Sequence, residues 1–349
     1  MMNNSVPMKV ISMDDLMEAG CFNVKEAIRI IEDAFVKYAN GDVIFPDKTS
    51  VVFDQKTQDR INCLPAGIVS EKVYGMKWVS VFPGNPVNFG KPNLTAVYLL
   101  SELTTGYPLA LMEGSLCSNL RTASVGAIGA KYFARKNSEV IGFIGAGEQA
   151  KSHFLTMLQV LPGIKECRIA SRTSASEQKF IEQMRRFHPE IRFVACCSDY
   201  RAAVETADVI ITAISGQEKI LQGEWIKEGA FYCHVAGVED DFSVALKADK
   251  IVCDNWEVVK HRTQTISQMY QQGLLKDESI YANLDQVVVG NIAGRESESE
   301  FVYFNSVGMS YADIALAYWM YQKVAEKNLG NTVEMKRDSM FDYAQYREG

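Results

Sequence analysis

The residues best placed to bind a ligand through their backbone form a short turn, Gly145-Ala146-Gly147. The apolar run Val140 to Ile144 precedes this turn, and a helical pattern with Ala150 in its first turn follows it. A strand, a glycine turn and a helix in this order are typical of a dinucleotide-binding fold, in which phosphates approach the glycine backbone and the helix N-terminus. The alternative is an ordinary tight turn without a ligand.

The next strand indicates which dinucleotide would bind. It runs from Cys167 to Ala170 and ends in Ser171-Arg172-Thr173, where this fold places an acidic residue against the ribose of NAD. The chain has no acid there, and the guanidinium of Arg172 is a planar fork that suits a 2′-phosphate. We therefore expect NADP(H) to be preferred, with NAD(H) possible. The alternative is that Arg172 is a solvated loop residue.

Composition narrows the class of protein. The chain has 349 residues and a net charge of −7, without a basic stripe, which argues against nucleic acid as a partner. No apolar run is long enough to span a membrane, and the N-terminal residues contain no signal-peptide core. The eight cysteines and four histidines lack the spacing of metal ligands. These features predict a cytoplasmic enzyme with reduced thiols and no metal.

The residues before the glycine turn predict a separate α+β arm. A helical pattern runs from Val24 to Tyr38, and shorter alternating runs separated by turn residues follow it. We predict an antiparallel sheet with a helix on one side, its strands at Thr49 to Phe53, Arg60 to Leu64, Tyr74 to Val81 and Thr95 to Leu100.

The residues after the turn alternate between strands and helices, which predicts a mostly parallel, doubly wound sheet covered on both faces. A last helix from Tyr311 to Asn328 could return to pack on the first arm. The later strands are expected at Arg192 to Cys196, Asp208 to Thr212, Ala230 to Val235, Lys250 to Cys253, Gln286 to Val289 and Phe301 to Phe304.

Several motifs, taken together, resemble the ornithine cyclodeaminase/mu-crystallin family. They are Gly75-Met76-Lys77-Trp78-Val79, Phe82-Pro83-Gly84-Asn85, the run from Thr105 to Gly114, Leu120-Arg121-Thr122-Ala123, the glycine turn, Gly294-Arg295 and the run from Phe304 to Gly308. The resemblance implies a Rossmann-type NAD(P)-binding domain at 120–318. It also implies a substrate-binding and dimerisation domain at 1–119 plus 319–349. In a homodimer the two open sheets of that second domain would meet and form a barrel.

The resemblance also implies roles for single residues. Arg121 and Lys77 match the residues that bind the substrate carboxylate, and Lys48 replaces a third, an arginine. Lys77 is also expected among the catalytic residues. A lysine is a point charge rather than a fork, so the pocket is expected to differ from an ornithine pocket. Cofactor contacts are implied at Thr122, Gly145, Ala146, Gly147, Glu148, Gln149, Ser171, Arg172, Thr173, Ala213, Ser215, Val235, Gly237, Ser306 and Val307.

A carboxylate is the expected acid–base group. Cyclodeaminases of the family place an Asp shortly after the strand represented here by Phe231 to Val235, and the best match is Glu239, with Asp240 one step away. A carboxylate near the nicotinamide could handle the proton on a substrate nitrogen. The alternative is a solvated acidic loop.

The resemblance implies an NAD(P)H-dependent oxidoreductase that acts on the C–N bond of an α-amino or α-imino acid. It would be an imine reductase or a dehydrogenase of N-substituted amino acids. Two alternatives stay open. One is a lyase that converts L-ornithine to L-proline and ammonia with catalytic NAD, and the other is a binding protein without enzymatic activity.

Overall fold

The structure is a computed structural model that describes residues 5–54 and 56–336. It divides into two compact units. Unit 1 comprises 1–23, 41–118 and 310–349, and unit 2 comprises 24–40 and 119–309. This division differs from the one expected from the sequence in two places, because the helix at 24–40 joins unit 2 and the last helix joins unit 1 from its first residue.

The secondary structure consists of strands and helices numbered here in chain order. The strands are β1 (Pro7–Ile11), β2 (Val43–Ile44), β3 (Thr49–Asp54), β4 (Asp59–Ile68), β5 (Val73–Val81), β6 (Leu94–Glu102), β7 (Pro108–Glu113), β8 (Val140–Ile144), β9 (Glu166–Ala170), β10 (Arg192–Ala195), β11 (Val209–Thr212), β12 (Phe231–His234), β13 (Lys250–Cys253), β14 (Ala282–Asn283), β15 (Val302–Asn305) and β16 (Asn331–Glu334). The helices are α1 (Met13–Ala19), α2 (Val24–Ala39), α3 (Asn85–Phe89), α4 (Ser115–Phe133), α5 (Glu148–Val160), α6 (Ser174–Arg185), α7 (Tyr200–Val204), α8 (Phe242–Lys247), α9 (Trp256–Val259), α10 (Thr265–Gln271), α11 (Leu284–Val288) and α12 (Ser310–Glu326).

Unit 1 is built on one sheet of eight strands in the order β16-β1-β7-β6-β5-β4-β2, with β3 also paired to β4. The pairs are antiparallel except β1 with β7, which is parallel. The four strands expected from the alternating runs are β3 to β6. β16 was not expected as a strand, and its four residues pair with β1 through Pro7↔Glu334 and the positions that follow.

One face of this sheet is covered by the last helix, α12. Its first residue, Ser310, donates a hydrogen bond of 2.8 Å to the carbonyl of Pro65 on β4. The expected return of the last helix to the first arm is therefore observed. The first long helix differs: α2 packs within unit 2, where Glu32 accepts hydrogen bonds from Lys131 and Tyr132 of α4.

Unit 2 contains a parallel sheet in the order β10-β9-β8-β11-β12-β15-β13-β14. From β8 the next two strands in the chain, β9 and β10, are added on one side, and β11 and β12 are added on the other. The topological switch point therefore lies between β8 and β11, where such sheets bind ligands at their carboxyl edge. This confirms the α/β class and the Rossmann-type sheet. The strand expected at Gln286 to Val289 is wrong, since these residues belong to helix α11 and the turn after it. A short apolar run does not distinguish the two structures.

Buried side chains of β8, β11, β12 and β15 form the centre of unit 2, with all four residues of the last three strands buried. Such uniform burial is typical of a parallel sheet covered on both faces. In the part of the chain that the structure describes, no helix has both the length and the hydropathy needed to cross a bilayer.

Candidate active site

The glycine turn lies at the carboxyl end of β8, beside the switch point. Gly145 has a φ of +109°, and a Cβ there would lie 2.4 Å from the carbonyl oxygen of Ala213, so only glycine fits. Gly147 differs: its φ is −80°, and no described atom lies within 4 Å of the position that a Cβ would take. This open space at the start of α5, where no side chain caps the helix, fits a pyrophosphate.

Arg172 follows β9 and is exposed to solvent, while hydrogen bonds fix the backbone around it. Arg172 and Thr173 are exposed, whereas Ser171 is buried and donates through Oγ to the carbonyl of Thr173 at 3.0 Å. Thr173 caps α6 by accepting from the backbone of Ser176. The guanidinium therefore extends from a fixed turn at the place where this fold holds the ribose.

A buried carboxylate that the sequence analysis missed fixes this turn. Glu177 of α6 has no exposed surface and accepts backbone N–H bonds from Ser171 at 2.9 Å, Cys197 at 2.8 Å and Ser198 at 2.9 Å. It therefore joins the loops after β9 and β10. Since its oxygens are engaged by backbone amides, Glu177 is not placed to serve as the missing ribose acid.

Arg121 of α4 lies against the segment that follows β15. Gly308 in that segment has a φ of +81°, and a Cβ there would lie 1.8 Å from Nη1 of Arg121. Asp254 fixes the segment, since its Oδ2 accepts from the backbones of Val307 at 2.8 Å and Gly308 at 2.6 Å and from the Ser306 hydroxyl at 3.2 Å. Burial raises the pKa of Asp254 to about 6 although these donors favour its charged form.

Glu239 is buried and has four hydrogen-bond donors. It accepts from the Thr212 hydroxyl at 2.8 Å and from the backbones of Ile214 at 2.8 Å, Ala236 at 2.9 Å and Val235 at 3.2 Å. These donors come from the last residue of β11 and from the loops after β11 and β12. The alternative of a solvated acidic loop is therefore wrong for Glu239, whose carboxylate instead holds the two loops together.

Asp240 is also buried but has fewer partners. Its Oδ1 accepts from Thr265 at 2.7 Å and lies 3.4 Å from Nε2 of His234. Burial raises the pKa of Asp240 to about 6, and the nearby His234, followed by the Thr265 hydroxyl, opposes this rise. The third acid of the loop, Asp241, caps α8 by accepting from the backbone of Ser243.

Unit 1 carries the other predicted cations. The side chain of Lys77 on β5 is only 2% exposed, and its Nζ lies 2.8 Å from each carboxylate oxygen of Asp313 on α12. Asp313 also accepts from the Tyr98 hydroxyl at 2.7 Å. Lys48 is exposed on the segment before β3. The sequence analysis missed Asp313, although a lone acid in the buried part of an apolar helix requires a partner.

The remaining predicted cofactor residues lie in unit 2. Most of them follow β8, β11, β12 and β15, which are neighbours in the sheet, so the structure brings them to one carboxyl edge. They are Ala146, Glu148, Gln149, Ala213, Ser215, Val235, Gly237, Ser306 and Val307, with Thr122 on α4. No cluster of three or more metal-binding side chains occurs among residues 5–54 and 56–336.

Comparison with known proteins gives a family match and full-length relatives. The model of the ornithine cyclodeaminase/mu-crystallin family matches residues 9–328. N-((2S)-2-amino-2-carboxyethyl)-L-glutamate dehydrogenase of Staphylococcus aureus is 30% identical over 332 residues, which is 94% of this chain and 98% of that one. The match is thus not confined to the dinucleotide-binding unit.

Two solved structures are similar over nearly the whole chain. The Δ1-pyrroline-2-carboxylate reductase of Thermococcus litoralis, in complex with NADH and L-proline, has a TM-score of 0.88 and 31% identity and covers 93% of this chain and 100% of its own. An archaeal alanine dehydrogenase dimer with bound NAD has a TM-score of 0.85 and 29% identity, with coverage of 95% and 100%.

Proposed function

The chain belongs to the ornithine cyclodeaminase/mu-crystallin family, and we propose that within this family it is a reductase of α-imino acids that prefers NADPH. It is an NAD(P)-dependent oxidoreductase that acts on the C–N bond of α-amino or α-imino acids, as its relatives are. The finer choice of a reductase over a lyase rests on Glu239, which matches the catalytic acid of the cyclodeaminases. Its four protein donors leave it little capacity for a second substrate amine.

The proposed roles follow from the chemistry of each group. The nicotinamide supplies the hydride. Arg121 binds the substrate carboxylate with two parallel hydrogen bonds, and Lys77 and Lys48 donate further hydrogen bonds to the substrate. Holding the α-carbon in one position relative to the hydride donor is the main contribution of these residues. The backbone at Gly147 and the start of α5 bind the pyrophosphate.

We expect the protein to oxidise NADPH in the presence of Δ1-pyrroline-2-carboxylate and to form L-proline. Gly308→Ala should raise KM for this imine by about tenfold or more, because the methyl group displaces the guanidinium of Arg121. Gly290→Ala is the matched control, since its φ of +79° imposes the same backbone strain with no described atom within 4 Å. Steady-state kinetics measure both variants.

Release of ammonia from L-ornithine with catalytic NAD, and no reduction of the imine, would instead identify a lyase. Equal KM values for Gly308→Ala and Gly290→Ala would remove Arg121 from the substrate site while leaving the reductase assignment intact.

The preference for NADPH is proposed from Arg172, although the two similar structures contain NADH and NAD. Arg172→Ala should weaken NADPH binding about tenfold or more and leave NADH binding unchanged, since a hydrogen bond to a charged group contributes roughly 1.5–3 kcal/mol.

Gly147→Ala should weaken the binding of both cofactors equally without lowering Tm, because the methyl group fills only the pyrophosphate space. Fluorescence titration measures these constants, and tighter binding of NADH by the unmodified protein contradicts the preference.

The two carboxylates are proposed to differ in role. Asp240, with a pKa of about 6, suits the holding of a proton near neutral pH, and Glu239 fixes the loops. In the unmodified protein kcat should fall as pH rises through about 6, because the protonated form of Asp240 is lost there.

Asp240→Asn should lower kcat about a hundredfold and remove this pH dependence. Glu239→Gln should mainly lower Tm, because its amide N–H₂ group would face backbone donors. Stopped-flow rates and melting curves separate the two effects. If Glu239→Gln keeps its Tm and is the slow variant, the roles are reversed.

A homodimer is proposed from the uncovered face of the sheet in unit 1. Lys77 and Tyr98 are paired in register and lie on the face covered by α12, so the adjacent pair Trp78 and Val97 points to the other face. Their exposed fractions of 45% and 39% are high for such residues in a sheet. We propose that this face meets the same face of a second copy and closes a barrel. The similar alanine dehydrogenase is a dimer.

Light scattering should give twice the chain mass of 39.0 kDa, and Trp78→Asp should give the monomer mass, since it would bury an unpaired charge. A monomer mass for the unmodified protein at micromolar concentration would refute the dimer.

A further inference from the structure

A buried ion pair in unit 1 carries an inference about the predicted substrate lysine. The side chains of Lys77 and Asp313 are 2% and 0% exposed, and Nζ of Lys77 lies 2.8 Å from both Oδ1 and Oδ2 of Asp313. The two residues are 236 positions apart in the chain. An ammonium group with so little access to water depends on its counter-ion for stability, so Asp313 holds the charge as well as the direction of Lys77.

The fold fixes both partners of this pair. Lys77 lies on β5 directly opposite Tyr98 on β6, and the Tyr98 hydroxyl donates to Oδ1 of Asp313 at 2.7 Å. Asp313 lies in the first turn of α12, which is anchored to β4 where Ser310 donates to the carbonyl of Pro65. The carboxylate therefore accepts hydrogen bonds from side chains of two neighbouring strands, β5 and β6, which fix its orientation.

The pair changes what Lys77 can give to a ligand. Both carboxylate oxygens of Asp313 accept from the Lys77 ammonium. The charges of the two groups cancel, so the pair presents an ammonium of fixed orientation rather than a net positive charge.

We propose that Asp313 is a positioning residue of the reaction, which keeps the Lys77 ammonium charged and fixes its orientation, with Tyr98 holding Asp313 in turn. This inference rests on the proposed function, because it assumes that Lys77 contacts the substrate. The rival explanation is that the pair only fastens α12 to the sheet, as many buried ion pairs fasten elements.

Asp313→Asn tests the proposal, because it keeps the shape of the side chain and removes its charge. Without its counter-ion the buried ammonium loses its proton more readily, so the limb of kcat/KM that lies above the Asp240 limb near pH 6 should move toward acid by at least one pH unit. Among the described contacts, two further titratable groups lie at the pair: Tyr98, and Cys117, whose Sγ contacts the carbonyl of Asp313. Both lose a proton as the pH rises, and loss of the Asp313 charge would favour that ionisation as well, so the titration of labelled lysine described below assigns the shift to Lys77.

The measurements are kcat/KM for Δ1-pyrroline-2-carboxylate from pH 6 to 10, Kd for NADPH, and Tm. We expect KM for the imine to rise about tenfold or more at pH 8 and to recover at lower pH. Kd for NADPH should stay within about twofold, since the proposed cofactor contacts belong to unit 2. Tyr98→Phe should move the limb in the same direction by a smaller amount, and Asp313→Glu should restore part of the activity.

Asp208→Asn is the matched control for breaking an ion pair. Asp208 in unit 2 is 8% exposed at its side chain and lies 2.6 Å from Nζ of Lys227. It lies at the amino end of β11, the edge opposite the candidate site, so this variant should lower Tm without moving the pH profile. If Asp313→Asn behaves like Asp208→Asn, the pair is structural only and the proposal is overturned. If Asp313→Asn does not fold, the pH profile of Tyr98→Phe tests the proposal instead, and an unshifted limb in that variant overturns it.

A second readout does not depend on turnover. Spectra of protein labelled with ¹⁵N-lysine report the ionisation of Lys77, with Lys77→Arg giving the assignment. Lys77 should stay charged to high pH in the unmodified protein and should titrate at lower pH in Asp313→Asn. If the unmodified protein binds NADPH but does not reduce the imine, the proposed function fails, and the titration still decides whether Asp313 holds the charge of Lys77. Identical titrations in both proteins overturn the inference.

Discussion

The candidate cofactor site depends on buried carboxylates that accept hydrogen bonds from loop backbones. Glu177 joins the loops after β9 and β10, Glu239 joins those after β11 and β12, and Asp254 holds the segment after β15. Strand ends leave backbone N–H groups without ladder partners, and buried groups of this kind must be paired. Each carboxylate accepts from several of them at once and so fixes the backbone of the loops at the carboxyl edge of the sheet.

This way of holding loops has a consequence for stability. The pKa values of Asp240 and Asp254 are raised to about 6 from the ordinary value of 3.8. At these two groups the folded protein therefore binds protons more readily than the unfolded chain between these values, and their contribution to the free energy of unfolding falls as pH rises from about 4 to 6. The two groups lower stability at neutral pH, where both are largely charged. These two carboxylates therefore fix the loops at the carboxyl edge and lower the free energy of unfolding at neutral pH.

The sequence predicted the parts of the site that depend on local pattern. The glycine turn, the order of strands and helices around it and the arginine at the end of β9 all lie within short stretches whose spacing carries the signal. Asp313 and Tyr98 escaped prediction because their contact joins positions 215 apart, and only the packing of α12 on the sheet brings them together. Glu177 escaped for another reason: acids in and near loops are usually solvated, and burial is not visible in a pattern of polar residues.

Unit 1 is assembled from the two ends of the chain, so the order of synthesis affects when it can fold. Its sheet takes strands from 1–23 and 41–118, but the helix that covers it and the strand that completes its edge come from 310–349. Pairing of β1 with β16 joins residues more than 320 positions apart, so it forms late. On the ribosome, Lys77 emerges long before its counter-ion, and its face of the sheet stays uncovered while all of 119–309 is made. A chain that stops before Asp313 lacks the acid that neutralises this lysine, and so lacks the buried ion pair of unit 1 however well the dinucleotide unit folds.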